Sequence, residues 1–257
     1  MIFVFPAVAG NDGWAVSDHM RVRLLSHVSS IGKTDMLHAA LEVELADGWH
    51  TYWRVSGDSG LPPRFDWGAS ENVGDVQVHF PAPTRKNEQG FITFGHAGRF
   101  ILPLDITLIE VGAAADVRLS AQIMICKDIC IPQMVEASLH VPAGGGESSP
   151  HAMVLERARD KLPHVGNSDA LGIENIILGK DALVLSVRAE DFAADMDVFA
   201  VLDDEIGLTA EPEFKAMDEN TVQIRIALHE TLETPKGHDV SITLVNGQDV
   251  IAVEQQF

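Results

Sequence analysis

The chain contains two cysteines, Cys126 and Cys130, within the segment Ile125-Cys126-Lys127-Asp128-Ile129-Cys130-Ile131-Pro132. Three residues separate them. In a continuous strand their Cα atoms would stand roughly 13 Å apart at ~3.3 Å per residue, whereas a disulfide needs roughly 4.4–6.8 Å. A bond between them therefore requires the chain to reverse, with Lys127-Asp128-Ile129 at the tip of a hairpin. The flanks support a reversal. Val117, Leu119, Ala121, Ile123 and Ile125 are apolar at odd positions before the tip, and Ile131, Val135, Ala137 and Leu139 are apolar at odd positions after it. Both cysteines are even-numbered, so both are expected to point away from that core face, towards a surface a partner can reach.

Three chemistries fit such a pair. As a staple it is poorly placed, because closing so short a loop removes roughly 2 kcal/mol of unfolded-state entropy against nearly 5 for a 100-residue loop. As a redox centre it would exchange through mixed disulfides, and the charge of Lys127 could stabilise either thiolate. The residues alone leave staple and redox centre on an equal footing. The third reading is metal. Met124, Cys126, Cys130 and Met134 share even parity, and soft thiolate and thioether ligands suit Cu(I), so a non-catalytic Cu(I)-binding or copper-tolerance module is the alternative function. Zinc is disfavoured because two cysteines leave the remaining tetrahedral positions unassigned. The eleven histidines are scattered. No nucleophile elbow, phosphate-binding glycine loop or dinucleotide fingerprint is present.

The elements expected to carry this pair are strands. Leu37, Ala39, Leu41, Val43 and Leu45 alternate with polar residues. Phe100 to Leu108 and Val117 to Ile125 repeat the pattern, and period two means a half-buried strand. Val141 to Pro150 reads as a linker from its glycines and serines, and Ala152 to Leu162 is the best helix candidate. Strand patterns resume at Leu183–Val187, Val222–Leu228 and Val240–Leu244. The last leads into Asn246-Gly247, a pair that favours a type I′ hairpin turn, with Val250 to Val253 returning. The expected organisation is all-β: a sandwich over 14–143, a linker and short helix over 144–164, and a second, smaller β-sandwich over 165–257. The second sandwich has no cysteine and no catalytic motif, so it is expected to orient the first or offer docking surface.

Composition narrows the partners. Hydrophobic residues are 46% and charged residues 22% of 257, enough to bury a core and inconsistent with general disorder. With 18 Lys plus Arg against 38 Asp plus Glu, the formal net charge is -20. That excludes a nucleic-acid binder and disfavours an anionic membrane surface. No apolar run reaches the ~20 residues of a spanning helix, so direct membrane insertion is not expected. Met1 to Gly10 (MIFVFPAVAG) looks like the end of an export signal, truncated or removed, without its basic region.

Four segments together resemble the N-terminal periplasmic domain of the DsbD/ScsB thiol-disulfide interchange proteins, over about residues 14–143. They are Gly48-Trp49-His50-Thr51-Tyr52-Trp53-Arg54, Gly57-Asp58-Ser59-Gly60-Leu61-Pro62-Pro63, Gly90 to Pro103, and Cys126 to Pro132. The resemblance implies an immunoglobulin-like sandwich and a redox-active disulfide Cys126–Cys130, with no other cofactor. It implies a periplasmic protein that relays electrons from a membrane-linked, thioredoxin-like donor to thioredoxin-fold clients. Cys126 and Cys130 are carried over as the redox pair, as in a protein-disulfide reductase. His50 and Tyr52 fall on the strand expected beside them, Lys127 and Asp128 at the tip between them, and Phe94 on the loop that caps them. Residues 88–96 are accordingly expected to act as a lid. Trp49 and Trp53 are read as core. The family's DsbD type has a longer insertion between its cysteines, and this chain shows no transmembrane bundle or thioredoxin domain. It reads as either a standalone exported protein or an excised fragment, with the ending at Gln255-Gln256-Phe257, after a complete hairpin, favouring the former.

Overall fold

A computed structural model describes residues 8–9, 13–88 and 90–257. Most of the apolar N-terminal stretch read as an export signal lies outside the described residues. The chain divides into two compact units. Unit 1 takes in the residues up to Arg54, Leu61–Pro81 and Gly95–Lys161; unit 2 takes in Val55–Gly60, Ala82–Phe94 and Leu162–Phe257.

In unit 1, one antiparallel sheet runs in the order Val8–Ala9, Ala15–Val16, Met20–Ser26, Met36–Leu45, Arg99–Thr107, Val76–Val78. The other is led by the hairpin Cys130–Val141 and Ala115–Cys126, followed by His50–Gly57 and Phe91–Ala97, with Arg64–Asp66 also paired to Ala115–Cys126. His50–Gly57 and Phe91–Ala97 each have one end in unit 1 and the other in unit 2.

The period-two reading holds along the core strands. Leu37, Ala39, Leu41 and Val43 of one sheet and Val117, Leu119, Ala121, Ile123 and Ile125 of the other are buried in one apolar cluster. The opposite face of Met36–Leu45 is covered as well. Ala40 packs with Leu25 and with Leu155 of the helix Ala152–Arg159, and Glu42 is fully buried against Arg23, at 2.7 Å, and Arg99. The helix is held at its end by Arg159, which bonds the Asp105 carboxylate, itself flanked by His38 at 2.6 Å and His79 at 2.7 Å.

The glycine- and serine-rich segment after Val141 is not free chain. Ile31 N donates to Pro142 O, Gly144 N to Ile31 O, Ser29 N to Glu147 O and Ser149 N to His27 O. Composition registers backbone freedom, and these non-local hydrogen bonds remove it.

Unit 2 contains two sheets. One orders His164–Val165, Asp249–Gln256, Asp239–Asn246, Asp197–Leu202 and Ile206–Gly207; the other orders Leu171–Leu178, Ala182–Ala189, Thr221–Ala227 and Glu213–Ala216. Leu183, Leu185, Val187, Ile224, Ile226, Val240, Ile242 and Leu244 form its core.

The expected hairpin is present, but its turn is displaced by one residue. Asn246 pairs with Asp249, so the loop is Gly247-Gln248. Only Gly247 has positive φ, at 63°. Positive φ at the first loop position alone is the requirement of a type II′ turn, not I′. Asn246 stays in the strand because its side chain is engaged: Oδ1 accepts from Ala193 N at 2.8 Å and Nδ2 donates to Asp191 O at 2.7 Å.

Candidate redox site

The hairpin Ala115–Cys126 and Cys130–Val141 is in register along its whole length and ends on the pair Cys126 opposite Cys130. Directly opposed residues share a face, so the two sulfurs meet, and they are joined as a disulfide with Cα atoms 4.1 Å apart. The tip is Lys127-Asp128-Ile129, all exposed, with Lys127 N donating to Ile129 O.

Lys127 Nζ donates to Asp47 O at 3.2 Å. Its stem lies over Gly48, where an added Cβ would come within 2.9 Å of Lys127 Cε. Gly48 also has φ +81°, so only glycine suits this turn. The lysine thus ties the hairpin tip to the turn that leads into the next strand. Asp128 is exposed at that tip.

The strand His50–Gly57 completes the site. His50 lies opposite Cys126, and Thr51 opposite Ile125. Thr51 Oγ1 donates to Met124 O at 2.8 Å, fixing the two strands together. Tyr52, two residues from His50, shares its face. The Tyr52 hydroxyl lies 3.0 Å from Cys126 Sγ and 3.8 Å from Cys130 Sγ. A disulfide sulfur has no proton to give, so the phenol is the donor. His50 and Tyr52 meet edge-to-face at 5.8 Å.

One expectation is corrected here. Even parity placed both cysteines on a reachable surface, but Cys126 is 1% exposed while Cys130 is exposed. Along one face of the hairpin strand, Gln122 is exposed, Met124 half-buried and Cys126 buried. Pairing with the His50 strand and contact with Tyr52 enclose Cys126 on a face that parity alone reads as outward.

Phe94, expected on a capping loop, lies on the strand Phe91–Ala97 and is fully buried. In unit 2 it meets Phe199 edge-to-face at 5.2 Å and takes the Arg85 guanidinium over its ring at 5.1 Å. His96, on the same strand, stacks on Phe100 at 4.8 Å, and burial lowers its pKa to about 4, so it is neutral at physiological pH. Trp49 belongs to the core cluster and stacks on His19 at 4.2 Å; Trp53 is buried and donates to Pro81 O. Met124 and Met134 share the cysteine face, Met134 at 40% exposure. Among the described residues, no group of three or more His, Cys, Asp or Glu side chains is placed to hold a metal ion. Residue pattern alone did not single out Thr51 or Gly48, whose roles depend on a strand and a lysine more than seventy residues away in sequence.

Residues 23–142 match the model of the family described as thiol:disulfide interchange protein DsbD, N-terminal. Among solved structures, the N-terminal periplasmic domain of ScsB from Proteus mirabilis aligns with a TM-score of 0.69 at 20% identity, covering 95% of this chain and 96% of that one. Bovine butyrophilin aligns over 92% of this chain and 98% of its own at 9% identity and a TM-score of 0.23, too low to bear on the fold. No curated protein is similar at a significant level. The hairpin disulfide lies inside the matched span, on an immunoglobulin-like β fold that the ScsB domain shares. Over residues 23–142 this chain therefore resembles the N-terminal domain of the DsbD thiol:disulfide interchange family, and it shares the fold of the ScsB domain.

Proposed function

We propose that this chain is a periplasmic thiol-disulfide interchange protein that passes electron pairs between a thioredoxin-like, membrane-linked donor and thioredoxin-fold clients. The observation that carries the reading is the asymmetry of the pair: Cys130 is exposed, and Cys126 is buried beneath a hydrogen-bond donor. The domain family supports interchange chemistry in general. The periplasm and the kinds of donor and client follow from the sequence resemblance. Among the described residues no helix is long and apolar enough to cross a membrane.

The asymmetry supports an assignment of roles. An incoming thiolate must approach in line with the S–S bond, and of the two residues only Cys130 is exposed. Attack there forms a donor–Cys130 disulfide and expels Cys126 as the thiolate, which accepts the hydrogen bond from Tyr52. The donor's second thiolate then attacks the sulfur of its own mixed disulfide and releases Cys130. The donor loses two electrons to become a disulfide, and the Cys126–Cys130 pair gains them. Towards a client the sequence reverses: Cys130 thiolate attacks the client disulfide, and Cys126 resolves the mixed disulfide.

Two variants test the assignment. Cys126→Ser leaves an exposed Cys130 with no resolving partner, and should accumulate a stable mixed disulfide with glutathione disulfide, seen by mass spectrometry. Cys130→Ser should react far more slowly while folded. Equal trapping in the two variants would contradict the assignment, and a wild-type pair that mild reductants cannot open would remove the redox reading altogether.

A further inference from the structure

A pocket of about 180 Å³ opens on the same face as Cys130, lined by Leu61, Pro62, Arg64, Gln122, Met124 and Pro132, all in unit 1. It is smaller than the ~300–1,000 Å³ of sites that enclose a cofactor or drug-sized molecule, and suits a single side chain. Its place is set by register. Pro132 lies two residues from Cys130 and opposite Met124, while Arg64 lies opposite Gln122. Apolar surface is exposed around the disulfide: Leu61 at 52%, Ile129 at 64% and Met134 at 40%. Arg64 is an exposed cation at the pocket, in a chain whose net charge is -20.

We infer that this pocket receives an apolar side chain of the polypeptide joined to Cys130 in the mixed disulfide, two residues from that polypeptide's cysteine, with Arg64 facing an acidic neighbour. The inference rests on the interchange reading above. The spacing argument is direct. Two residues of extended chain span roughly 6.6 Å, the same step that separates Cys130 from Pro132. A partner bonded at Cys130 in extended form therefore places its second residue over Pro132 and Met124. Water leaves both apolar surfaces there, and the cation at Arg64 selects the sign of the adjacent charge. The pocket thus makes the chain a reader of the sequence around a client's cysteine.

Short peptides with one cysteine, each blocked as a mixed disulfide with glutathione, provide the test. The reduced chain takes the peptide through a Cys130–peptide disulfide with release of glutathione; Cys126 then closes the protein disulfide and frees the peptide thiol. A peptide with Leu two residues from its cysteine, followed by Glu, should react about tenfold faster than its Ser counterpart, equivalent to ~1.4 kcal/mol. Replacing Glu by Lys should slow the Leu peptide about threefold. Met124→Ser should erase the preference for Leu. Arg64→Glu should invert the order of the Glu and Lys peptides, a reversal that loss of structure cannot produce. Equal rates for all peptides, with glutathione disulfide still consumed by the wild-type chain, would overturn the pocket while leaving the interchange reading intact. Failure with glutathione disulfide as well would bring down both.

Discussion

Replacing Tyr52 by Phe isolates the contribution of one hydroxyl. Tyr52 is 2% exposed, and its ring is retained in the variant, so the change removes a donor 3.0 Å from Cys126 Sγ without opening a cavity. A hydrogen bond to a charged acceptor contributes roughly 1.5–3 kcal/mol, which is about one to two powers of ten in the equilibrium that releases Cys126 as thiolate. If about half of that is felt at the transition state of exchange, reduction by dithiothreitol should slow roughly 3- to 10-fold. Stopped-flow measurement of disulfide reduction reads the rate, and urea denaturation of the oxidised variant confirms that its fold is intact. Tyr52 is the only tyrosine in the chain, so its phenol absorbance in the wild type should change when the pair is reduced. A folded Tyr52→Phe variant reduced at the wild-type rate would refute the idea that the hydroxyl stabilises the leaving sulfur.

Burial pushes the Asp105 carboxyl up, but hydrogen bonds from Arg159, His38 and His79 outweigh it and lower the pKa from 3.8 to about 2. A depressed pKa contributes stability above the unfolded value, lost as pH falls from about 4 towards 2; the shift corresponds to about 2 kcal/mol. Asp105→Asn should lower stability at neutral pH by that order and flatten the acid limb of the stability curve, and an unchanged pH profile would show that the cluster contributes nothing. Glu42→Ala should cost roughly 1–3 kcal/mol, because it empties a buried site and takes the carboxylate from the half-buried Arg23, while Arg99 is exposed to water; a urea midpoint close to wild type would contradict this. At Gly95 an added Cβ would lie 2.0 Å from Thr51 O, so Gly95→Ala should force the two strands apart and destabilise by about 1–3 kcal/mol or more, whereas unaltered thermal unfolding would show that the strands can yield. Phe94→Ala should cost roughly 3–5 kcal/mol by emptying the space beside Phe199, read as a lower denaturation midpoint for unit 2.

Local order is written in the residue pattern. The alternation from Val117 to Leu139 is compatible with a reversal at Lys127-Asp128-Ile129, which a bond between the cysteines requires, and the observed register places Cys126 opposite Cys130. The core faces of Met36–Leu45, Thr221–Ala227 and Asp239–Asn246 follow the same rule, because side chains in a strand alternate by covalent geometry and need no distant partner to do so. What covers the other face is a non-local matter, and there the pattern is silent. Parity set both cysteines outward, yet a neighbouring strand and the Tyr52 hydroxyl enclose Cys126 and leave Cys130 the exposed residue of the pair. The segment after Val141 has a linker's composition, but hydrogen bonds to residues 27–31 fix it. Asn246 has a turn residue's identity, but Ala193 and Asp191 hold it in the strand. In each case the residue's own chemistry sets what it is able to bond. Contacts between segments remote in sequence decide which bond it makes, and for this pair of cysteines those contacts are what bury one and leave the other exposed.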